Sequence, residues 1–408
     1  MKVIQINVLY QRGSTGFIVD QIHSYLSSNG YESKVAYGRK KIKNKDSNSY
    51  KFCYEIEAAI NKVLNRLGCL SYSDHTCSTQ RLCRFIESEK PDVVHLHCIN
   101  GYCVDIYELL EFLSSNKIPT IVTHHAEFFY TANCGHAFDC MQFTKTSGCV
   151  NCPNLKKATG SVIRDNAARS WLKLKKAFNS FDSDKLIFTA VSPWLLNRSK
   201  LSPIVNKYPC VVVKNGIDVS VFNPLSKRPD TILSLKDKIA KIVLHVTASF
   251  SDKPNSLKGG DKIIELAKML PGIMFVVVAS EVKIKNQLPA NIYIWGQAKG
   301  REELAGLYSS ADVTIIASRR ETFSMVVAES LCCGTPVVGF KAGGPESIAL
   351  KTWGKFVDYG DLESLKGVLE ETLNSNLDKT EIAKRSAECF SSEKMACDYL
   401  SLYKRLTQ

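Results

Sequence analysis

No stretch of this 408-residue chain stays apolar for the roughly 20 residues that a membrane-spanning helix needs. The N-terminus, Met1-Lys2-Val3-Ile4-Gln5-Ile6-Asn7, runs straight into a strand pattern. It lacks the apolar core and small-residue cleavage site of a signal peptide, so a cytoplasmic location is expected. The chain has no short internal repeat and no low-complexity tract. No G-x-G-x-x-G follows the first strand pattern, which argues against a dehydrogenase. In the first half we find no D-x-D-type carboxylate pair suited to a metal–diphosphate clamp, so no catalytic metal is expected. Motifs that read RNA or DNA are missing and the basic residues are dispersed, so no nucleic-acid partner is expected. Acidic residues are the minority, 40 Asp and Glu against 53 Lys and Arg, a net charge of +13. That excess suits phosphorylated substrates or an anionic membrane surface without choosing between them. Cysteine is not scarce, at 15. In a long chain with no export signal a disulfide scaffold is excluded, and most of these thiols read as small buried hydrophobes.

What is present is alternation. Short β-branched runs at residues 3–8, 34–37, 92–97, 120–125, 185–191 and 211–214 form a first series of strand candidates. Runs at 241–247, 274–279, 291–295, 313–317 and 336–340 form a second. Several are apolar at nearly every position, as strands buried on both faces require. Helical stretches such as 17–28, 261–270 and 365–373 lie between them. The pattern predicts an α/β protein with two doubly wound parallel sheets facing a central cleft. The break falls in 217–239, which carries Pro224, Pro229 and charged residues. We place a first domain at 1–214, a second at 215–390, and a final segment at 391–408. Ligands of such sheets bind at the carboxyl ends of strands, so the chemistry is sought there.

The most informative stretch, residues 318–346, reads SRRETFSMVVAESLCCGTPVVGFKAGGPE. A strand ends in a polar loop, and a helix begins near Thr322–Ser324. Backbone N–H groups of Phe323, Ser324 and Met325 at that helix start form an anion site fit for a diphosphate. Glu321 precedes the helix and Glu329 follows eight positions on. Carboxylates accept hydrogen bonds from hydroxyls, so one suits a sugar and the other a ribose. Cys333-Gly334-Thr335-Pro336-Val337-Val338 and Gly343-Gly344-Pro345-Glu346 complete a longer pattern. The segment resembles family 4 of the retaining GT-B glycosyltransferases (glycosyl transferases group 1), with its E-x-F-x5-E, CGTPVV and GG-x-E elements. Asn215-Gly216-Ile217-Asp218 with Phe222 and Pro224 looks like that family's link into its second domain. Lys258-Gly259 resembles its K-G element, whose Lys neutralises the donor phosphates. Where family members carry an Arg in a G-R pair, this chain reads Ala248-Ser249, and Lys253 is the nearest cation.

In the first domain Gly13-Ser14-Thr15-Gly16 lies between the first strand and the first helix, where glycines let a backbone approach a donor. A plain turn is as good a reading of that segment alone. His95-Leu96-His97 and His124-His125 end two strands. The block from His95 to Cys152 is similar to a capsule and exopolysaccharide subgroup of the family. On that register His125 is the active-site His that contacts the donor sugar, His124 takes a hydrophobic position, and Ala126 replaces the usual Asp. Cys134, Cys140, Cys149 and Cys152 have spacings that fit a four-thiolate zinc site, with His136 as a substitute ligand, or equally a set of reduced loop thiols.

The resemblance implies a metal-independent, retaining transfer of a sugar from a UDP- or GDP-sugar to a glycan or lipid-linked acceptor. Glu321, His125 and Lys258 are expected as catalytic residues. Gly13, Gly16, Lys253, Phe323, Ser324, Met325 and Glu329 are expected at the donor. No cofactor is required, and zinc would be structural only. A nucleotide-sugar epimerase of the same fold and a donor-binding but inactive relative are the alternatives. A final expectation is peripheral contact with the inner face of the cytoplasmic membrane. It rests on Arg164, Arg169, Lys173, Lys175 and Lys176, which alternate with Val162, Trp171, Leu172 and Phe178 on a helical pattern.

Overall fold

The computed structural model describes residues 1–408 except 43, 45, 68, 69, 71, 74, 75, 159, 160, 162, 239 and 240. Val162, and the end of the 217–239 break, therefore lie outside the described residues. The chain forms two compact units, Met1–Lys214 with Met395–Gln408, and Asn215–Lys394.

The first unit holds β1 (Lys2–Asn7), β2 (Glu32–Tyr37), β3 (Ser49–Lys51), β4 (Val93–Leu96), β5 (Thr120–His124), β6 (Leu186–Ala190) and β7 (Cys210–Val212). They make one parallel sheet in the order β3-β2-β1-β4-β5-β6-β7. The second unit holds β8 (Ile242–Ser251), β9 (Met274–Lys283), β10 (Ile292–Gly296), β11 (Val313–Ile316), β12 (Val337–Phe340) and β13 (Gly354–Val357). Their order, again all parallel, is β10-β9-β8-β11-β12-β13. Each sheet is the doubly wound α/β type that the alternation predicts. The order reverses between β1 and β4 in one and between β8 and β11 in the other, the switch points where such sheets bind ligands.

The central strands carry the apolar signal because both faces are covered. Every residue of β4, β5, β6, β11 and β12 is buried. The two strands that the sequence did not announce, β3 and β13, are edge strands with only half-buried residues. Strands β8 and β9 run on to Ser251 and Lys283, four residues past the expected ends, because their ladder continues through Ser249–Glu281, Phe250–Val282 and Ser251–Lys283.

The last helix, Ser392–Thr407, belongs mostly to the first unit. Met395, Tyr399, Tyr403 and Leu406 sit on one helical stripe and pack with Val3, Ile18, Ile22 and Val93. The basic helix spans Ala167–Asn179, and its apolar side is not available to a membrane. Trp171, Leu174 and Phe178 are buried, and the helix packs on Ile106–Ser115. Only Leu172, 54% exposed, is left outward, so this is a domain helix with a solvated basic face. No helix among the described residues is long and apolar enough to cross a membrane.

Candidate functional site

In the second unit, two of the expected residues meet at the switch point. Lys258 follows β8 and Glu321 follows β11, and Lys258 Nζ donates to Glu321 Oε1 at 2.6 Å. The approach is set by backbone fit. Gly259 has φ +70, and a Cβ there would lie 2.0 Å from the Ala317 carbonyl oxygen, so only glycine lets this loop press on the end of β11. Glu321 is held from the other side by the Gly-Gly loop. Its N–H donates to the Ala342 carbonyl (3.1 Å), and its own carbonyl accepts from Gly344 N–H (2.9 Å). A Cβ on Gly344 would stand 2.4 Å from the Thr322 carbonyl carbon. Glu346 closes the loop by accepting from the N–H groups of Ala342 and Gly343 at 2.8–2.9 Å, which makes it a structural carboxylate. The separate motif pieces thus form one interlocked surface.

The helix of that motif is Met325–Cys332, one to three residues later than expected. Ser324 precedes it at φ 78, ψ 90, a left-handed conformation uncommon for a residue with a Cβ, and makes no side-chain cap bond. Phe323 is buried, with its ring edge-on to Phe390, so only its backbone can serve a ligand. The first N–H groups of any helix have no intrahelical acceptor, which suits this end to an anion. Glu329 lies in the fifth position of the helix and accepts from Tyr308 Oη at 3.0 Å. Burial raises its pKa to about 7, opposed by the Tyr308 hydrogen bond and the charge of Arg301. Arg301 itself pairs with Asp218 (3.3 Å) and sits over the Phe222 ring, so the Asn215–Phe222 segment buttresses the Glu329 side. Lys253 is exposed in the loop after β8, with its backbone N–H on Ser251 Oγ. It is not among the contacts of the Lys258–Glu321 pair.

One neighbour was not anticipated. His245, buried on β8, hydrogen-bonds the Ile315 carbonyl through Nδ1 (3.2 Å), while its Nε2 is buried without a hydrogen bond. Burial lowers its pKa to about 4, and Lys258 adds to the effect against the Ile315 carbonyl. A histidine inside an otherwise apolar strand, Ile242-Val243-Leu244-His245-Val246, was the available signal.

In the first unit the residues gather at the carboxyl ends of β1, β4 and β5. Gly13, at φ +65, opens the helix Gly13–Ser28, so the glycine segment is that helix's first turn rather than a separate loop. Gly16 is buried there, where a Cβ would come within 3.2 Å of the Leu9 carbonyl. Asn7 ties this turn to β4, donating to the Leu9 carbonyl and accepting from Cys98 N–H. His97 Nδ1 lies 3.1 Å from His125 Nε2, and His97 Nε2 lies 3.2 Å from Gln5 Oε1. His95, its ring centroid 3.8 Å from that of His97, bridges Tyr403 Oη and Thr123 Oγ1, both at 2.7 Å. His124 is boxed by aromatic rings, stacked on Phe188 at 5.2 Å, and neither ring nitrogen has a hydrogen-bond partner. His124 thus takes a hydrophobic place, and His125, partly exposed, takes the polar one. Burial lowers the pKa of His125 to about 4 and of His124 to about 3, and drives His95 and His97 well below the usual imidazole range.

The cysteine loop is anchored by a buried carboxylate. Glu127 pairs with Arg198 and accepts from Tyr130 Oη (2.7 Å) and from Ala137 N–H. Cys134 and Cys149 are buried, Cys140 and Cys152 half-buried. Burial pushes Cys134 and Cys149 up to about 12, and the neighbouring thiols of the cluster push the same way, so the four occupy one neighbourhood. Yet among the described residues no group of three or more His, Cys, Asp or Glu is placed to hold a metal ion. The loop as it stands is tied by Glu127 and Arg198. The chain does contain a D-x-D spacing, Asp182-Ser183-Asp184, but it lies in the turn before β6, at the amino end of the sheet, with Asp184 exposed. A cavity of about 580 Å³ beside Ser220, Lys227, Arg228 and Glu302 contains neither Lys258 nor Glu321.

Comparison with known proteins agrees with this architecture. Residues 250–388, which contain Lys258, Glu321 and Glu329, match the family Glycosyl transferases group 1. The putative colanic acid biosynthesis glycosyl transferase WcaC of Escherichia coli is 22% identical over 429 aligned residues, covering all of both chains. A D-inositol 3-phosphate glycosyltransferase of Mycolicibacterium smegmatis is 27% identical over 190 residues, 43% of this chain. The chain spans less than half the length of that relative, 42%. Among solved structures, a glycosyltransferase from Rickettsia africae superposes with a TM-score of 0.63 at 16% identity, over 100% of this chain and 98% of the other. HepE from Anabaena, in complex with UDP and glucose, gives 0.63 at 13% identity over 99% of each chain. At such identities the structural likeness speaks for the fold, which is GT-B. Over residues 250–388 the second unit is similar to the group 1 glycosyl transferases.

Proposed function

We propose that the chain is a retaining glycosyltransferase that moves a sugar from a UDP- or GDP-sugar to a glycan or lipid-linked acceptor, without a catalytic metal. What carries the reading is the Lys258–Glu321 pair at a switch point, beside the start of the helix that bears Glu329. The barrier lies in breaking the bond between the sugar's anomeric carbon and the diphosphate. Lys258 and the helix N-terminus would stabilise the charge that develops on the leaving phosphate, held in place beforehand. Glu321 would leave the ammonium for a sugar hydroxyl when the diphosphate arrives, and Glu329 would hold the ribose. His125, Gly13 and Gly16 of the first unit would also serve the donor, His125 contacting its sugar. The acceptor hydroxyl would attack on the face the diphosphate leaves, passing its proton to the departing phosphate oxygen. Likeness to WcaC, a putative colanic acid biosynthesis glycosyl transferase, supports polysaccharide synthesis as the setting, for which we propose the inner face of the cytoplasmic membrane as the place. UDP in the HepE structures supports a nucleotide donor. We retain a structural zinc for Cys134, Cys140, Cys149 and Cys152 as part of this proposal, on donor chemistry and mutual proximity alone.

Thermal shift against UDP-, GDP- and ADP-sugars tests the donor, since a ligand that binds only the folded state raises the melting temperature. A rise with one nucleotide class is expected. No rise with any of them would sink the reading, and conversion of the sugar with no acceptor present would make the protein an epimerase.

A further inference from the structure

The helix Glu55–Arg66 is oriented the wrong way round for a globular protein. Its buried residues are Ala58, Asn61 and Asn65. Its large apolar residues face out: Ile56 is 70% exposed, Ile60 and Val63 each 54%, Leu64 39%, and Leu67, just beyond the helix, 58%. The spacing 56, 60, 63, 64, 67 is one stripe on one face, the side an ordinary surface helix buries. Elsewhere the exposed large apolar side chains are scattered along the chain.

The inward face is fixed by polar contacts, so the orientation is specified. Asn61 Nδ2 donates to the Tyr102 carbonyl at 3.1 Å, and Asn65 reaches Tyr102 Oη at 3.5 Å. Glu57 accepts from Tyr54 N–H at 2.7 Å and pairs with Arg81. Rolling the helix to hide its apolar stripe would break these bonds and take from the Tyr102 carbonyl its Asn61 donor.

The charges around the stripe have one sign to spare. The carboxylates of the helix, Glu55 and Glu57, are both engaged: Glu55 with Arg39 (2.8 Å) and Lys51 (3.3 Å), Glu57 with Arg81. Lys62 and Arg66, four residues apart and both exposed, flank the stripe. Long cationic stems beside an apolar stripe can reach up to headgroups while the stripe dips among acyl chains.

We propose that this helix is a docking face for an anionic lipid bilayer, with Ile56, Ile60, Val63 and Leu67 entering the interface and Lys62 and Arg66 on the headgroups. The charge balance chooses a lipid leaflet over a second copy of the chain. Lys62 and Arg66 stand beside the stripe while both carboxylates of the helix, Glu55 and Glu57, are already paired, so the face complements an anionic surface. The docking face stands on these residues alone, whether or not the donor reading holds.

The test is co-sedimentation with vesicles of phosphatidylcholine alone and of phosphatidylcholine with about a third phosphatidylglycerol. The full chain is compared with Ile60→Ser/Val63→Ser/Leu67→Ser and with Lys62→Glu/Arg66→Glu. These positions are exposed, so both variants should keep the wild-type melting temperature and nucleotide-sugar thermal shift, which reports the donor site separately. The wild type should bind the anionic vesicles and not the neutral ones. The triple variant should bind at least about tenfold less, and the charge reversal should remove the preference for anionic lipid. Equal sedimentation of wild type and triple variant overturns the proposal. So does light scattering that finds a dimer in solution, dispersed by the same three serines.

Discussion

His97 holds His125 in one tautomer. Gln5 Nε2 donates to the Val19 carbonyl, so Gln5 Oε1 faces His97 Nε2, which must carry the proton. A neutral His97 then presents its Nδ1 lone pair to His125 Nε2, 3.1 Å away, and His125 Nε2 is the donor. That leaves His125 Nδ1 as an acceptor, suited to a hydroxyl.

His97→Phe should therefore keep the buried shape but release the tautomer, raising the donor KM several-fold with a smaller change in kcat. A conservative His97→Gln, which can still accept from His125, should recover part of the loss. Measured steady-state constants decide it, and unchanged KM in His97→Phe would remove His97 from a positioning role.

Acid should destabilise the fold through the histidines. His124, His125 and His245, with pKa values of about 3, 4 and 4, and His95 and His97, which burial also lowers well below the usual range, are neutral when folded, and each takes a proton on unfolding below about pH 6.5. The unfolded state then binds more protons, so stability falls as pH drops from about 6.5 towards 4. Glu329, raised to about 7, works with the opposite sign between its ordinary value of 4.5 and 7. Five groups outweigh one, and the melting temperature should fall on acidification across this range. A flat profile would show that these imidazoles are not buried neutral.

Donor binding should carry the titration of Glu329. An ionised carboxylate accepts from ribose hydroxyls better than a protonated one, so affinity should rise as pH goes from about 6 to about 8. Calorimetry in buffers of different ionisation enthalpy should detect proton release on binding at neutral pH. Glu329→Gln should bind more weakly, with the pH dependence gone. A variant that keeps both affinity and pH dependence removes Glu329 from the ribose.

Lys258→Ala should lower kcat by roughly a hundredfold, the scale on which removing one charge-stabilising group acts. Its pair with Glu321 is partly exposed, so the fold should lose less than about 1 kcal/mol. Glu321→Gln should cost turnover more than nucleotide affinity. Wild-type turnover in either variant would displace the pair from the reaction.

Zinc analysis of protein purified without added metal tests the cysteine loop. About one equivalent per chain is expected if a metal draws the four sulfurs together, and its chelation should disorder the loop while sparing nucleotide binding. Far less than one equivalent, with four titratable thiols, would leave the loop held by its protein contacts, the Glu127–Arg198 pair among them.

The doubly wound character was legible in the sequence because central parallel strands are apolar on both faces, and that signal is local. So was the motif from Glu321 to Glu346, because Gly339 and Gly344 answer to clashes with Ile316 and Thr322 in or close to the motif, although Gly334 answers to the distant Lys379. The edge strands β3 and β13 were silent, since half-exposed residues need not be apolar. What only the tertiary structure decided is which neighbour each side chain meets. Lys258 and Glu321 are 63 residues apart, and the strand order β8-β11 brings them together. The His97–His125–Gln5 chain likewise depends on β1 lying beside β4 and β4 beside β5. Most of all, amphipathicity alone did not tell which helix face is buried. The basic helix Ala167–Asn179 hides its apolar side, whereas Glu55–Arg66 shows it and turns Asn61 and Asn65 inward to Tyr102.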